Sequence, residues 1–142
     1  MNSLPNLAAI VASFVLIFFL NYIFYGVVAA EFFDTHMGSA DAVMKEEVDM
    51  IFIFFGTLLQ AVALTLLYAR WAQGTHDIAS GFRFGSLVGL FAGFGMMLIM
   101  FGTSNFYDVP ALIVDGLWYV FLYGLCGAAI AVIMKKIQAR SS

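Results

Sequence analysis

Four long apolar stretches run through this sequence, and they restrict its fold more than any other feature. They cover residues 8–30, 50–71, 84–103 and 111–134. A helix that spans a bilayer needs about 20 mostly apolar residues, because the hydrocarbon core is about 30 Å thick. Strands of a membrane barrel are about ten residues long and alternate in polarity, and these stretches do not alternate. The sequence therefore predicts an all-α integral membrane protein, with four transmembrane helices in a single domain over residues 1–142.

The composition excludes several other classes of protein. Hydrophobic residues make up 63% of the chain and charged residues 11%, with a mean hydropathy of +0.99. Soluble domains carry about 25% charged residues, so a soluble enzyme and a basic nucleic-acid-binding protein are both excluded. The single cysteine excludes a disulfide framework within the chain. The N-terminus lacks the positive charge of a signal peptide, so we expect the first span to remain in the mature protein.

The charges predict an orientation in the membrane. Five of the six basic residues flank the connection between the second and third spans or follow the fourth, and eight of the nine acids lie at the opposite face. Short cytoplasmic segments carry an excess of lysine and arginine. We therefore expect two tandem hairpins with both termini in the cytoplasm, in the inner membrane of a bacterium. Similar acidic ends on the two hairpins leave open whether they arose by duplication.

Small residues predict how the helices pack. Gly81, Gly85, Gly89 and Gly93 recur every four residues in the third span, and Gly124 and Ala128 repeat this spacing in the fourth. Helices in lipid associate where small residues let their backbones approach closely. The sequence therefore predicts close packing within the chain along this stripe, and a contact between copies of the chain is the alternative.

A few polar residues lie in the middle of the predicted spans. Asn21, Gln60 and Tyr123 are each near the centre of a span, and Tyr22 follows Asn21. Because an amide without a partner is costly in hydrocarbon, we expect Asn21 and Gln60 to pair at one level, with Tyr123 beside them. The alternative is a small-molecule pocket lined by the same four residues.

A second polar group, the outer acidic face, is expected at the opposite side from the basic residues. Its members are carboxylates and one imidazole near the span ends: Glu31, Asp34, His36, Asp49, Asp108 and Asp115. Asp115 is about one turn into the fourth span, where its carboxylate is expected to reach water. These ligand types suit a divalent cation, but no metal-binding spacing is present, so a hydrated surface without a metal is predicted. No haem or other cofactor is predicted. Residues 42–48 are compatible with a short helix.

Three segments resemble small bacterial four-helix membrane proteins of unknown function. The first span ends in Asn-Tyr-Ile-Phe-Tyr-Gly, the third is rich in glycine, and the fourth opens with Asp115-Gly116-Leu117-Trp118. The resemblance covers most of the chain and implies the four-helix architecture. Some members of that group carry an acid at the position of Asn21. No activity is implied by the resemblance.

These features favour a non-enzymatic membrane protein that is an accessory or structural subunit of a complex or a homo-oligomer. Its predicted partners are the lipid bilayer and other membrane subunits or further copies of itself. The alternative is a permease for a small molecule or cation, working as an oligomer with a polar site at mid-membrane and an acidic outer vestibule. An enzyme is least favoured, because it would need an acid–base pair near the interface. Only Asp115, with Tyr119 or His36, offers one.

Overall fold

The computed structural model describes residues 3–40, 45 and 47–141, and every regular element in these ranges is helical. The elements are α1 (Ser3–Ile23), a first π-helical segment (Phe24–Val28), α2 (Ala30–Thr35), α3 (Met50–Ala72), α4 (Ile78–Gly89), a second π-helical segment (Leu90–Gly95), α5 (Met96–Thr103) and α6 (Val109–Ser141). Most of the predicted short helix at 42–48 lies outside the described residues, so that prediction stays open.

Four helical runs among the described residues are long and apolar enough to cross a membrane. They are Leu4–Val28, Met50–Ala72, Ile78–Thr103 and Val109–Arg140. This confirms the predicted class, a multi-pass integral membrane protein. The second span agrees with its predicted bounds to within one residue at its end, whereas the other three begin earlier than hydropathy predicts.

Polar caps explain where the helices begin. The carboxylate of Asp77 accepts a hydrogen bond from the Ser80 backbone N–H at 2.9 Å, so the third span begins at Ile78 rather than at residue 84. Hydrogen bonding from Ser80 holds the pKa of the Asp77 carboxyl below its usual range. Asp108 Oδ1 accepts from Ala111 N at 3.0 Å at the start of α6. Side-chain oxygens at these positions satisfy N–H groups that the helix leaves without partners.

α6 is the central helix of the bundle. It packs along α4 and the second π-helical segment on one side and along α1 on another, and α3 lies mainly against α1. Consecutive spans are therefore neighbours, with the first beside the second and the third beside the fourth. The core lies between these helices and includes Ile17, Tyr68, Leu122 and Ile130, all 0% exposed.

The glycine stripe of the third span lies directly against α6. A Cβ added at Gly85 would overlap the backbone carbonyl of Tyr123, and one added at Gly81 would come within 2.5 Å of the Gly127 carbonyl oxygen. Only glycine permits this separation of the two backbones. On α6 the small residues that face this stripe are the predicted Gly124, opposite Gly85, and Gly127, opposite Gly81 and Gly85. The predicted Ala128 is only half-buried.

The short helix α2 and the connection over residues 104–108 lie together at one end of the bundle, here named the α2 end. Gly38 N donates to Phe106 O at 2.9 Å, and Asp108 N donates to His36 O at 3.2 Å. These backbone bonds hold the residues that follow α2 against the connection that leads into α6.

Candidate functional site

The carboxylate of Asp115 is buried inside the bundle. Asp115 is 4% exposed, and the hydroxyl of Tyr25 donates a hydrogen bond to its Oδ1. The expectation that this carboxylate reaches water is therefore wrong. Asp115 lies six residues after Val109, or about 9 Å along the helix axis, and the first π-helical segment covers it from the side. An acid at this depth and without exposure is rare in a membrane span and usually has a function.

Both π-helical segments border this part of α6. The first carries Tyr25. In the second, a Cβ added at Gly93 would overlap Tyr119, and Phe94 fills the space in front of Gly116. A π-helical turn inserts one residue into an α-helix and is found frequently at functional sites. The two segments thus pack against the turns of α6 that carry Asp115, Gly116 and Tyr119.

Two further tyrosines surround the carboxylate. Tyr119, one turn after Asp115, and Tyr107, in the connection before α6, both lie close enough to interact electrostatically with it. Burial, with a smaller contribution from the carboxylate of Asp115, raises the pKa of Tyr107 to about 12. The phenol of Tyr107 is therefore neutral throughout the physiological pH range. The site comprises one carboxyl group and three phenols, namely Asp115, Tyr25, Tyr107 and Tyr119.

Asn21 joins this site through Trp118 rather than through Gln60. The Trp118 Nε1–H donates to Asn21 Oδ1 at 2.8 Å, and the Trp118 ring stacks on Phe24 at 3.9 Å with an interplanar angle of 5°. The predicted pair of amides does not form. The rings of Phe14 and Phe54 are 5.0 Å apart and fix the register of α1 against α3.

That register explains why Asn21 and Gln60 are at different depths. The first span covers Leu4–Val28, so its midpoint is near residue 16. Asn21 is five residues, or about 7 Å, beyond that midpoint towards the α2 end. Gln60 is at the middle of α3, and its side chain is exposed on the outside of the bundle.

The other two members of the predicted mid-membrane cluster are also apart. Tyr22 is 64% exposed, whereas Tyr123 is 4% exposed and stacks on Tyr119 at 5.9 Å. Of the four predicted residues, only Asn21 and Tyr22 lie near each other, as neighbours in sequence. Whether any of the four has a functional role stays a prediction.

The outer acidic face divides into separate contacts. Glu31 and Asp34 are exposed on α2, Asp49 caps α3 by accepting from Ile51 N at 3.2 Å, and Asp115 is inside the bundle. The imidazole of His36 stacks on the ring of Phe32, and its Nδ1 is 2.8 Å from the Phe32 carbonyl oxygen. Asp108 meets His36 only through the backbone. Within residues 3–40, 45 and 47–141, no three His, Cys, Asp or Glu side chains form a group suited to a metal ion.

The sequence alone pairs Tyr119 with Asp115 but does not reveal the role of Tyr25 or Trp118. Each is an aromatic residue in an aromatic-rich span, and 17% of the chain is aromatic. The sequence signal that could have identified them is a single acid inside a span that is rich in tyrosine and tryptophan, since a buried carboxylate needs hydrogen-bond donors. The packing roles of Gly116 and Gly127 were also missed, and both residues contact the third span directly.

Comparison with known proteins gives no further guidance: no protein-family model, no curated protein and no solved structure matches this chain.

Proposed function

We propose that this chain is a non-enzymatic membrane subunit that assembles with further copies of itself through the exposed face of α3. The observation that carries the proposal is Gln60. Its amide is exposed at the middle of a membrane span and has no hydrogen-bond partner among the described residues. An amide left alone in hydrocarbon is costly, and amides in membrane helices stabilise contacts with other helices.

The residues around Gln60 favour a close helix–helix contact. Gly56, Gln60, Ala63 and Leu67 are all exposed, and they follow one another at spacings of four, three and four. This is the spacing of a helix–helix seam. A Cβ added at Gly56 would meet nothing within 4 Å, so packing within one chain does not require glycine there. Glycine in a helix costs about 1 kcal/mol relative to alanine, and close approach of a second helix would offset that cost.

A second copy is the partner that fits this surface best. An amide carries both a donor and an acceptor, so two Gln60 side chains can satisfy each other across a two-fold axis. Such a bond is worth about 0.6 kcal/mol on average in membranes, so the small residues beside it must supply most of the contact. A different membrane protein bound at the same face would make the chain an accessory subunit of a larger complex.

The mass of the protein after gentle extraction from its own membrane tests the proposal. We expect an oligomer of this chain, and we expect Gly56→Leu and Gln60→Leu to shift it towards monomer. Gly102→Leu is the matched control, because a Cβ at Gly102 also meets nothing within 4 Å. With Cys126 replaced by serine, Ala63→Cys should form a disulfide between copies. A monomeric native protein would refute the proposal, and a larger complex with other proteins would replace self-association with the accessory role.

The second candidate is a permease for a cation or small molecule, and the buried Asp115–Tyr25 pair favours it. A carboxylate inside a span can release the hydrogen bond that it accepts from a phenol and bind a proton or a cation instead. Uptake by reconstituted vesicles tests this function. A permease of this kind predicts that Asp115→Asn abolishes flux of a cation such as potassium or ethidium while the oligomer persists. A subunit without transport predicts no flux above that of empty vesicles.

We also propose an orientation with both termini in the cytoplasm and the α2 end outside, in a bacterial inner membrane. The distribution of basic residues supports it, with five of six at the side opposite α2. In a Cys126→Ser background, single cysteines at positions 36, 76 and 108 should report it. An impermeant thiol reagent applied to intact cells should label positions 36 and 108 and leave position 76 unlabelled.

A further inference from the structure

A cavity of about 530 Å³ opens between α1 and α3 near the α2 end. This volume is within the range of about 300–1,000 Å³ that is typical of small-molecule sites. Its walls are mostly apolar and aromatic, with a few polar groups, and they include Phe18, Asn21, Tyr25, Gly26, Met50 and Thr57. The cavity thus combines an apolar body with convergent polar groups, in the part of the bundle that adjoins Asp115.

Two of the polar groups that line the cavity are without partners. Asn21 uses its Oδ1 to accept from Trp118, which leaves the amino group of the same amide with no acceptor among the described residues. Thr57 is 7% exposed, and its hydroxyl makes no hydrogen bond in the described part of the chain. Donors without acceptors are costly away from water, so both groups fit a molecule that brings acceptor oxygens.

Tyr25 connects the cavity to the buried carboxyl group. Its side chain lines the cavity, and its hydroxyl donates to Asp115. The hydroxyl is thereby committed as a donor, so the ring offers the cavity an aromatic surface. An apolar ring that enters the cavity can pack against Tyr25 and Phe18.

We propose that this cavity binds a membrane-soluble molecule with an apolar body and carbonyl oxygens, which accept hydrogen bonds from Asn21 and Thr57. Among the described residues, no positively charged side chain lines the cavity, which disfavours a phosphate headgroup. The carbonyl can belong to a ring ketone such as a quinone or to the acyl ester of a bilayer lipid. The proposal is independent of assembly through α3, because Gln60 does not line the cavity.

Quenching of tryptophan fluorescence by menadione, a naphthoquinone, tests the proposal. Trp118 is bonded directly to the cavity-lining Asn21, and Trp71→Phe removes the other tryptophan of the chain. In nanodiscs we expect quenching of Trp118 to saturate with menadione concentration. Quenching that rises linearly without saturation would overturn the proposal.

Three variants separate the cavity from the lipid around it. Gly26→Leu should abolish saturation, because a Cβ there meets nothing within 4 Å and the larger side chain would occupy the cavity. Gly102→Leu is equally free of clashes, does not line the cavity and should leave saturation unchanged. Thr57→Val removes one donor and should raise the half-saturation concentration by about two- to tenfold. Equal half-saturation in the two leucine variants would refute the site.

Nanodiscs of ether lipids, which lack ester carbonyls, distinguish the two sources of the ligand. A lower half-saturation concentration in ether lipids identifies the lipid ester as a competing occupant, which supports recognition of a carbonyl. An unchanged value supports selection of the ring ketone. In both cases the Gly26→Leu result decides whether the cavity is the binding site.

Discussion

Replacement of Gly85 by alanine probes the closest helix contact in the bundle. The added methyl group would overlap the carbonyl of Tyr123, which belongs to the backbone of α6 and cannot rotate away. The third and fourth spans would have to separate, and the other stripe contacts at Gly81 and Gly89 would loosen with them. The matched change is Gly102→Ala in the same span, where the new methyl group meets nothing within 4 Å.

The pair of variants isolates the steric cost. Both gain the helix propensity of alanine over glycine, about 1 kcal/mol. Only Gly85→Ala carries the cost of overpacking, about 1–3 kcal/mol. The free energy of opening the bundle should therefore be lower in Gly85→Ala than in Gly102→Ala by about 1–3 kcal/mol. At about 1.4 kcal/mol per tenfold, that difference is about 5- to 150-fold in the population of opened protein.

The single cysteine of the chain reports this opening. Cys126 is 0% exposed on α6 and is the neighbour in sequence of Gly127, which contacts the third span. A maleimide dye that becomes fluorescent on reaction with a thiol should label it only when the helices separate. We expect labelling of Gly85→Ala to be faster than that of Gly102→Ala by the factor above. Equal labelling rates would refute the conclusion that Gly85 is required by the backbone of α6.

Two further predictions concern the polar groups. Tyr25→Phe removes the phenol that donates to Asp115 and should destabilise the bundle by about 1–3 kcal/mol in the same labelling assay. Tyr22→Phe, at a residue that is 64% exposed, should be nearly neutral. Equal effects of the two changes would contradict the role of Tyr25. His76 has a pKa below its usual value of 6.5 because of burial. As the pH falls, the unfolded chain therefore protonates His76 before the folded protein does. The folding stability should be full above pH 6.5 and decrease as the pH falls below that value. His76→Gln should reduce that decrease in thermal unfolding followed by circular dichroism, and an unchanged pH dependence would contradict the assignment.

Hydropathy sufficed to predict that there are four spans, because each helix that crosses a bilayer needs about 20 mostly apolar residues. Glycine spacing predicted the side on which the third span packs, since only small residues permit that contact. The depth of Asn21 was misjudged because hydropathy does not locate the start of a helix, and α1 begins at Ser3 rather than at residue 8. The burial of Asp115 depends on a π-helical turn that rotates Tyr25 towards α6, and no local pattern in the sequence encodes that rotation.

The central position of α6 has a consequence for how the protein is made. The ribosome delivers α6 after the other three spans, yet it is the helix against which the first and third spans pack. Until it enters the membrane, Tyr25 has no carboxylate to bond and the glycine stripe of the third span faces lipid. Chains arrested after residue 103 should therefore be recognised as incomplete by quality-control proteases of the membrane. The first and third spans therefore complete their packing only after α6 has entered the membrane.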